Sequence, residues 1–245
     1  MAKRFICLQA GHQNAAQNCD PNLKKSTGAP GEAEFTVLVR DRVKDLLLSK
    51  KNADGSDAFM VQLVDSTFNC DPNADNTDFS LFLALHYDAY VNGSEGGFAD
   101  YPDPNTDFAT KESQRITKVI NDIYFPETEI KYVNRSNANT RFYYMWKFLS
   151  AKTPCVLLEC GTGQNPHDKV ILSDTDRVAK AIVRAICKAF DVPYDNVIPV
   201  PPTDPCADLR KEFEDYKKKY NQETQDAAVK KAVDDLNSKI DNAQK

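Results

Sequence analysis

His12, His86 and Glu159 each follow an apolar run of strand length. Arg4-Phe-Ile-Cys-Leu-Gln-Ala leads into Gly11-His12, Phe79-Ser-Leu-Phe-Leu-Ala-Leu into His86-Tyr-Asp, and Pro154-Cys-Val-Leu-Leu into Glu159-Cys-Gly. Runs of this length, partly β-branched and bounded by polar or turn residues, read as buried strands. In an open parallel sheet, catalytic groups gather outside the carboxyl ends of the strands. The placement therefore predicts that the three side chains meet in one crevice. Two imidazoles beside carboxylates suit a catalytic zinc site, which commonly takes three protein ligands and keeps a position for water. Such a metal lowers the pKa of that water to about 7 and polarises the carbonyl under attack. A carboxylate that is not a ligand then moves the proton to the leaving nitrogen.

His12 and His86 supply two nitrogens. The third ligand is most naturally Glu32, at the start of the first predicted helix and just after Gly28-Ala-Pro-Gly31, a segment able to fold back over the first strand. Glu34 is the rival, but it lies about 200° further round the helix, so the two cannot face one metal. Glu159, alone at the end of its run, remains as the acid/base, since a buried carboxylate is costly unless it is paired. Plainer readings compete: a strand-end hydrogen bond for either histidine, and a helix-dipole interaction for Glu32. With only three histidines in the chain and two at strand exits, the metal reading is the stronger. His167, in an Asn165-Pro-His-Asp168 segment read as a polar loop, is expected in solvent. Asp88 is a candidate to orient a ligand histidine. Tyr143, Tyr144 and Trp146 are candidates for a sugar-binding groove, although aromatic clusters more often build core.

The elements that must position these residues alternate. From residue 1 to about 192, strand-like runs and helical patterns follow one another, which is the α/β signature. A helix is predicted from about Glu32, with Phe35, Leu38, Val39, Val43 and Leu46 to Leu48 facing the core. Phe59–Val64 is a further strand, and Asn92–Phe98 is a turn region leading into a short extended piece. A helix spans roughly Thr110 to Tyr124, Arg141–Leu149 is ambiguous, and Asp174–Phe190 closes the domain as a helix with Val178, Ala181, Ile182, Ala185 and Ile186 inward. Pro193, Pro199, Pro201, Pro202 and Pro205 make residues 193–205 a stiff linker. Residues 206–245 are densely charged and carry two helical seams: Leu209, Phe213, Tyr216 and Tyr220, then Val229, Val233, Leu236 and Ile240. So narrow a stripe cannot form a core alone. This C-terminal helical appendage is expected to pair with a second copy, giving a homo-oligomer, or to pack on the catalytic domain.

Composition narrows the partners. A net charge of -5 argues against nucleic acid, whose binders carry a basic face. No run of about 18 apolar residues is present, so no transmembrane helix is expected. Met-Ala-Lys-Arg is followed by a run too short for a secretory leader. The seven cysteines (7, 19, 70, 155, 160, 187 and 206) are odd in number and partly inside apolar runs. They read as buried thiols of a chain made in the cytoplasm rather than as a disulfide framework.

Four segments together carry a resemblance. Ala10-Gly11-His12, Gly28-Ala-Pro-Gly-Glu32 opening a helix, Ala84-Leu-His86-Tyr-Asp-Ala89, and Leu157-Leu-Glu159-Cys-Gly161 followed by Asn165-Pro-His-Asp168 resemble the zinc-dependent N-acetylmuramoyl-L-alanine amidases of the amidase-3 type, found among cell-wall autolysins and phage endolysins. The resemblance covers about residues 4–192 and keeps the motifs in order. It implies a twisted, mostly parallel sheet flanked by helices, with Zn2+ held by His12, Glu32 and His86 and catalysis assisted by Glu159. The implied reaction is hydrolysis of the amide between N-acetylmuramic acid and L-alanine in peptidoglycan. Two departures bear on substrate placement more than on the metal. Thr36 stands where the family often has asparagine, and Tyr87-Asp-Ala89 replaces a small-residue Ala-Asn-Ala. The expectation is an endolysin that reaches the bacterial cell wall on release. The alternatives are a zinc peptidase or deacylase of another small amide, and a wall-binding module that has lost its metal.

Overall fold

Hydrophobic runs and helical stripes combine into one α/β domain, seen in a computed structural model that describes residues 2–14, 28–70, 78–102, 108–134 and 153–194. The expectations for Arg141–Leu149, for Tyr143, Tyr144 and Trp146, for the linker beyond Tyr194 and for residues 206–245 lie outside the described residues. Strands β1 (Arg4–Ala10), β2 (Phe59–Val64), β3 (Leu81–Asp88), β4 (Phe98–Asp100) and β5 (Cys155–Thr162) form a sheet in the order β2-β1-β3-β5-β4. All pairs are parallel except β4, which runs antiparallel along β5. The helices are α1 (Glu32–Leu48), α2 (Phe108–Thr128), α3 (Pro166–Ser173) and α4 (Thr175–Ala189), with a short 3-10 turn at Ser66–Cys70.

Strand alternation divides the core in two. Ile6 and Leu8, Leu81, Leu83 and Leu85, and Val156, Leu158 and Cys160 pack with α1, α2 and α4 on one face. The intervening Cys7, Phe82, Ala84, Cys155 and Leu157 form a second cluster with Phe79 on the other. Continuing that period of two, His86 and Glu159 belong to the second face. The predicted inward residues of α4 are all buried, and Asp174 caps that helix by accepting from the Arg177 N–H. Among the described residues, no helix is long and apolar enough to cross a membrane. Cys7, Cys155, Cys160 and Cys187 are buried free thiols, and burial pushes the Cys187 pKa up to about 12.

Three expectations are corrected. The third and fifth strands do not stop at their apolar runs: β3 continues to Asp88 and β5 to Thr162, so His86 and Glu159 lie within strands. The parallel ladder carries on because it is made by backbone groups, and polar side chains do not interrupt it. In α1 the buried apolar stripe is Phe35, Val39, Val43 and Leu47, four residues apart, while Leu38 and Leu48 turn outward at 60% and 48% exposure. Asn165–Asp168 is no loop but the start of α3. The Asn165 side chain accepts from the His167 and Asp168 N–H groups, and Pro166 occupies the first turn, where its missing N–H costs nothing. His167 stays exposed, as expected.

Candidate metal centre

Strand order turns between β1 and β3: β1 has β2, the next strand in sequence, on one side and β3 on the other. The crevice outside the carboxyl ends at such a point is where open α/β sheets bind ligands. Beyond Ala10, the Gly11 N–H donates to the Leu85 carbonyl at 2.9 Å, carrying the β1–β3 ladder one step further. A Cβ on Gly11 would collide with that carbonyl and with the His86 imidazole, so glycine lets the ring lie over the end of β1. His12 and Asn14 then turn the chain with left-handed φ values of 58° and 56°, a conformation that costs a non-glycine residue about 1–3 kcal/mol and persists only where its surroundings enforce it.

Glu32 opens α1 behind two left-handed glycines, Gly28 and Gly31. A side chain on Gly28 would strike both the Glu32 carboxylate and the His12 ring. The carboxylate is 3% exposed and closely held. Its Oε2 accepts from the Ala29 N–H at 2.8 Å and its Oε1 from the Tyr87 N–H at 3.2 Å. His86 Nδ1 lies 3.0 Å and His12 Nε2 3.6 Å from the same Oε1. The two rings stand edge to face, with centroids 5.1 Å apart. Burial alone would raise the Glu32 pKa. The His86 hydrogen bond, the charges of His86 and His12 and the Ala29 N–H outweigh it, so the carboxyl titrates below its ordinary value.

His12, Glu32 and His86 each offer a ligand atom within 4.8 Å of the other two. In a tetrahedral site with bonds of about 2.0–2.1 Å, neighbouring donors lie about 3.4 Å apart, and the 3.0 and 3.6 Å separations bracket that value. His86 Nε2 is buried without a hydrogen-bond partner, so this imidazole is not fully satisfied by the protein alone. Two nitrogens and one carboxylate suit zinc. The His12 side chain is 27% exposed, which leaves one side of the cluster open, as a catalytic rather than a structural site requires. Glu34, the rival ligand, points into solvent.

Glu159 is the direct partner of His86 in the β3–β5 register, and of Phe98 across β4–β5. It is 7% exposed. Other residues support the site without having been singled out for that role in the sequence. Tyr87 holds the Glu32 segment through its hydroxyl, which donates to the Pro30 carbonyl at 2.6 Å. Asp168 is fully buried and accepts from the Gly96 N–H at 2.6 Å and the Thr162 N–H at 3.0 Å, tying the loop before β4 to the end of β5. Asp88, the residue the sequence offered for orienting a ligand histidine, ends β3, where its carbonyl accepts from the Gly163 N–H.

Fold and cluster define a class: a mostly parallel α/β domain with a His-Glu-His group at the carboxyl edge of its sheet. Residues 6–189 match the amidase-3 family, described as N-acetylmuramoyl-L-alanine amidase, and the chain belongs to that family. In fold it is similar to the N-acetylmuramyl-L-alanine amidase Ami1 of Mycobacterium smegmatis (TM-score 0.60, 19% identity, covering 78% of this chain and 98% of that one). An N-acetylmuramoyl-L-alanine amidase of Clostridium difficile 630 is similar too (TM-score 0.56, 17% identity, 77% and 97%). So is the CwlD amidase of Clostridioides difficile, solved in complex with the GerS lipoprotein (TM-score 0.55, 20% identity, 77% and 99%). No curated protein sequence matches the chain.

Proposed function

We propose that the protein hydrolyses the amide between the lactyl group of N-acetylmuramic acid and L-alanine in peptidoglycan. In this reading His12, Glu32 and His86 hold zinc, and Glu159 is the acid/base. The observation that carries it is the convergence of three ligand atoms within 4.8 Å, in a chain of the amidase family. Bound zinc supplies a Lewis acid for the scissile carbonyl and a water whose pKa falls to about 7. The chain's own groups do the rest. Ala29 and Tyr87 N–H groups orient the Glu32 carboxylate and keep it ionised. Glu159, on the strand position beside His86, accepts a proton from the attacking water. As the C–N bond breaks and the C–O bond is complete, it returns that proton to the departing alanine nitrogen. The products are a lactyl carboxylate and a free stem peptide. The partly exposed His12 side of the cluster is the approach for substrate.

The setting we propose is lytic: an endolysin acting on the bacterial wall after release from the cytoplasm. The test is digestion of defined muropeptides with mass readout, with and without chelator. The expected result is a stem peptide beginning at L-alanine, lost with chelator and restored by zinc. Cleavage at another bond, or cleavage indifferent to chelator, overturns the reading. Residues 206–245 we assign to association between copies. Tyr194 is still fastened to the catalytic domain, with Lys50 Nζ donating to its carbonyl at 2.8 Å and Arg184 4.4 Å from its ring centre. Truncation after Tyr194 should therefore leave muropeptide cleavage intact and reduce the number of copies per particle seen by light scattering.

A further inference from the structure

Glu32, Thr36 and Arg40 lie four residues apart on α1 and so share one face of the helix. All three are buried, at 3%, 0% and 9% exposure, beside an apolar stripe that already anchors the helix. Burying a hydroxyl and a guanidinium is costly unless each is well bonded, so what they bond is informative. The Thr36 hydroxyl lies 2.8 Å from the Gly11 carbonyl and 3.1 Å from the Ala33 carbonyl. One Arg40 Nη donates to the Gln13 side-chain oxygen at 2.8 Å and to the Val64 carbonyl at 3.1 Å. Gly11 and Gln13 are the two neighbours of His12. The same turn is closed from the far side: the Ser66 N–H donates to the Gln13 carbonyl at 3.0 Å, and the Asn14 side chain donates to Asp65 at 2.8 Å.

We propose that Thr36 and Arg40 are positioning residues for metal binding. They fix the left-handed turn at His12 from the same helix face that delivers Glu32, so that one rigid element sets the distance between two ligands. This rests on the reading of His12, Glu32 and His86 as a zinc site. His12 follows the end of β1, and its φ of 58° is not a conformation the chain adopts unaided. Without the two braces the turn relaxes and the His12–Glu32 spacing widens. The metal then has to restore that spacing at the expense of affinity. The departure at residue 36 thereby acquires a role on the metal side: threonine reaches the Gly11 carbonyl with its hydroxyl.

The experiment is zinc affinity by competition with a chromophoric chelator, with apo-protein thermal unfolding measured in parallel. The chains compared are wild type, His12→Ala, Thr36→Val, Thr36→Ser, Arg40→Met, Arg40→Lys and Ser113→Ala. Thr36→Val and Arg40→Met should bind zinc about 10–100-fold more weakly, the usual effect of losing a group that orients a ligand. Thr36→Ser, which keeps the hydroxyl, should recover the affinity. Arg40→Lys should recover only part. The guanidinium holds Asp41 through Nε and one Nη while its other Nη reaches Gln13 and Val64, and an ammonium has a single nitrogen for all three. Ser113, on α2, is buried and its hydroxyl oxygen accepts from the Cys155 N–H at 2.8 Å, at the start of β5 rather than at the carboxyl end where the cluster lies. Ser113→Ala should lower the apo midpoint and leave zinc affinity unchanged. Wild-type affinity in Thr36→Val and Arg40→Met overturns the proposal, and so does an affinity loss that serine fails to rescue. A wild type that takes up no zinc, or a His12→Ala chain that binds it as wild type does, instead sinks the metal reading, and those two samples alone report it.

Discussion

The two halves of the candidate site are held by different means. His86 and Glu159 are partners on adjacent parallel strands, both more than nine-tenths buried, and the backbone ladder fixes them. His12 lies past the end of β1 in a left-handed turn, 27% exposed, and side chains from α1 and the β2–3-10 segment fix it. A residue on a ladder keeps its place when nearby side chains change. One on a turn is only as well placed as its braces. The buried half gives the cluster a rigid wall, and the turn gives it an open side, so the division serves both pre-organisation and access.

The largest effect should come from breaking the buried half. His86→Ala should lose zinc and muropeptide cleavage together, since two remaining ligands hold a metal poorly. It also removes the nearest side-chain partner of the Glu32 carboxylate, 3.0 Å away. A hydrogen bond to a charged group contributes about 1.5–3 kcal/mol, so the apo protein should be less stable in His86→Ala than in His12→Ala, because the His12 nitrogen stands 3.6 Å from the carboxylate. Equal apo stabilities in denaturant melts would contradict the asymmetry between the halves.

Next in size is Glu159→Gln. It keeps the shape of the strand side chain and removes proton transfer, so turnover should fall by about 10²–10⁴-fold while zinc stays bound. Loss of zinc in this variant would make Glu159 a ligand and require another base.

The same division governs what could be read from the sequence. The strands, the helix opening at Glu32 and the inward face of α4 follow from local pattern, and all were legible. The extension of β3 and β5 through His86 and Glu159 was not, because the ladder that extends them is made by backbone atoms of neighbouring strands. Asn165-Pro166 did carry a helix-start signal, a capping side chain followed by proline, which its polarity obscured. Thr36 and Arg40 could not be assigned a role from pattern at all. Their partners lie 25 and 27 residues away in sequence, and only the fold brings a helix face against that turn.

A glycine pair sharpens the contrast at intermediate size. Gly28 and Gly55 both have left-handed φ, 67° and 82°, so alanine is strained at either by about 1 kcal/mol. A Cβ at Gly28 meets Glu32 and His12, whereas a Cβ at Gly55 meets nothing within 4 Å. Gly28→Ala should therefore weaken zinc binding and lower stability, and Gly55→Ala should lower stability alone. Matching zinc affinities in the two variants would show that the loop does not shape the site.

The smallest effect lies at the outer edge of the turn, where Asn14 donates to the Asp65 carboxylate at 2.8 Å. Partial burial works to raise the Asp65 pKa, but the bonds from Asn14 and Thr67 and the charge of Arg40 outweigh it, and the group titrates below its ordinary value. A depressed carboxylate contributes stability above its unfolded pKa and loses that contribution as pH falls through the folded pKa. Asn14→Ala removes one of those bonds and moves the Asp65 pKa back upward. The pair is exposed, so the loss at pH 7 should stay under about 1 kcal/mol. The gap between wild type and variant should narrow as the carboxyl protonates in acid. Asn14→Gly loses the same bond but adopts φ near 56° freely, so it should be the milder change at neutral pH. Denaturant melts at pH 7 and pH 3 test both statements. A gap that widens in acid would mean that Asn14 stabilises the turn through something other than the carboxylate.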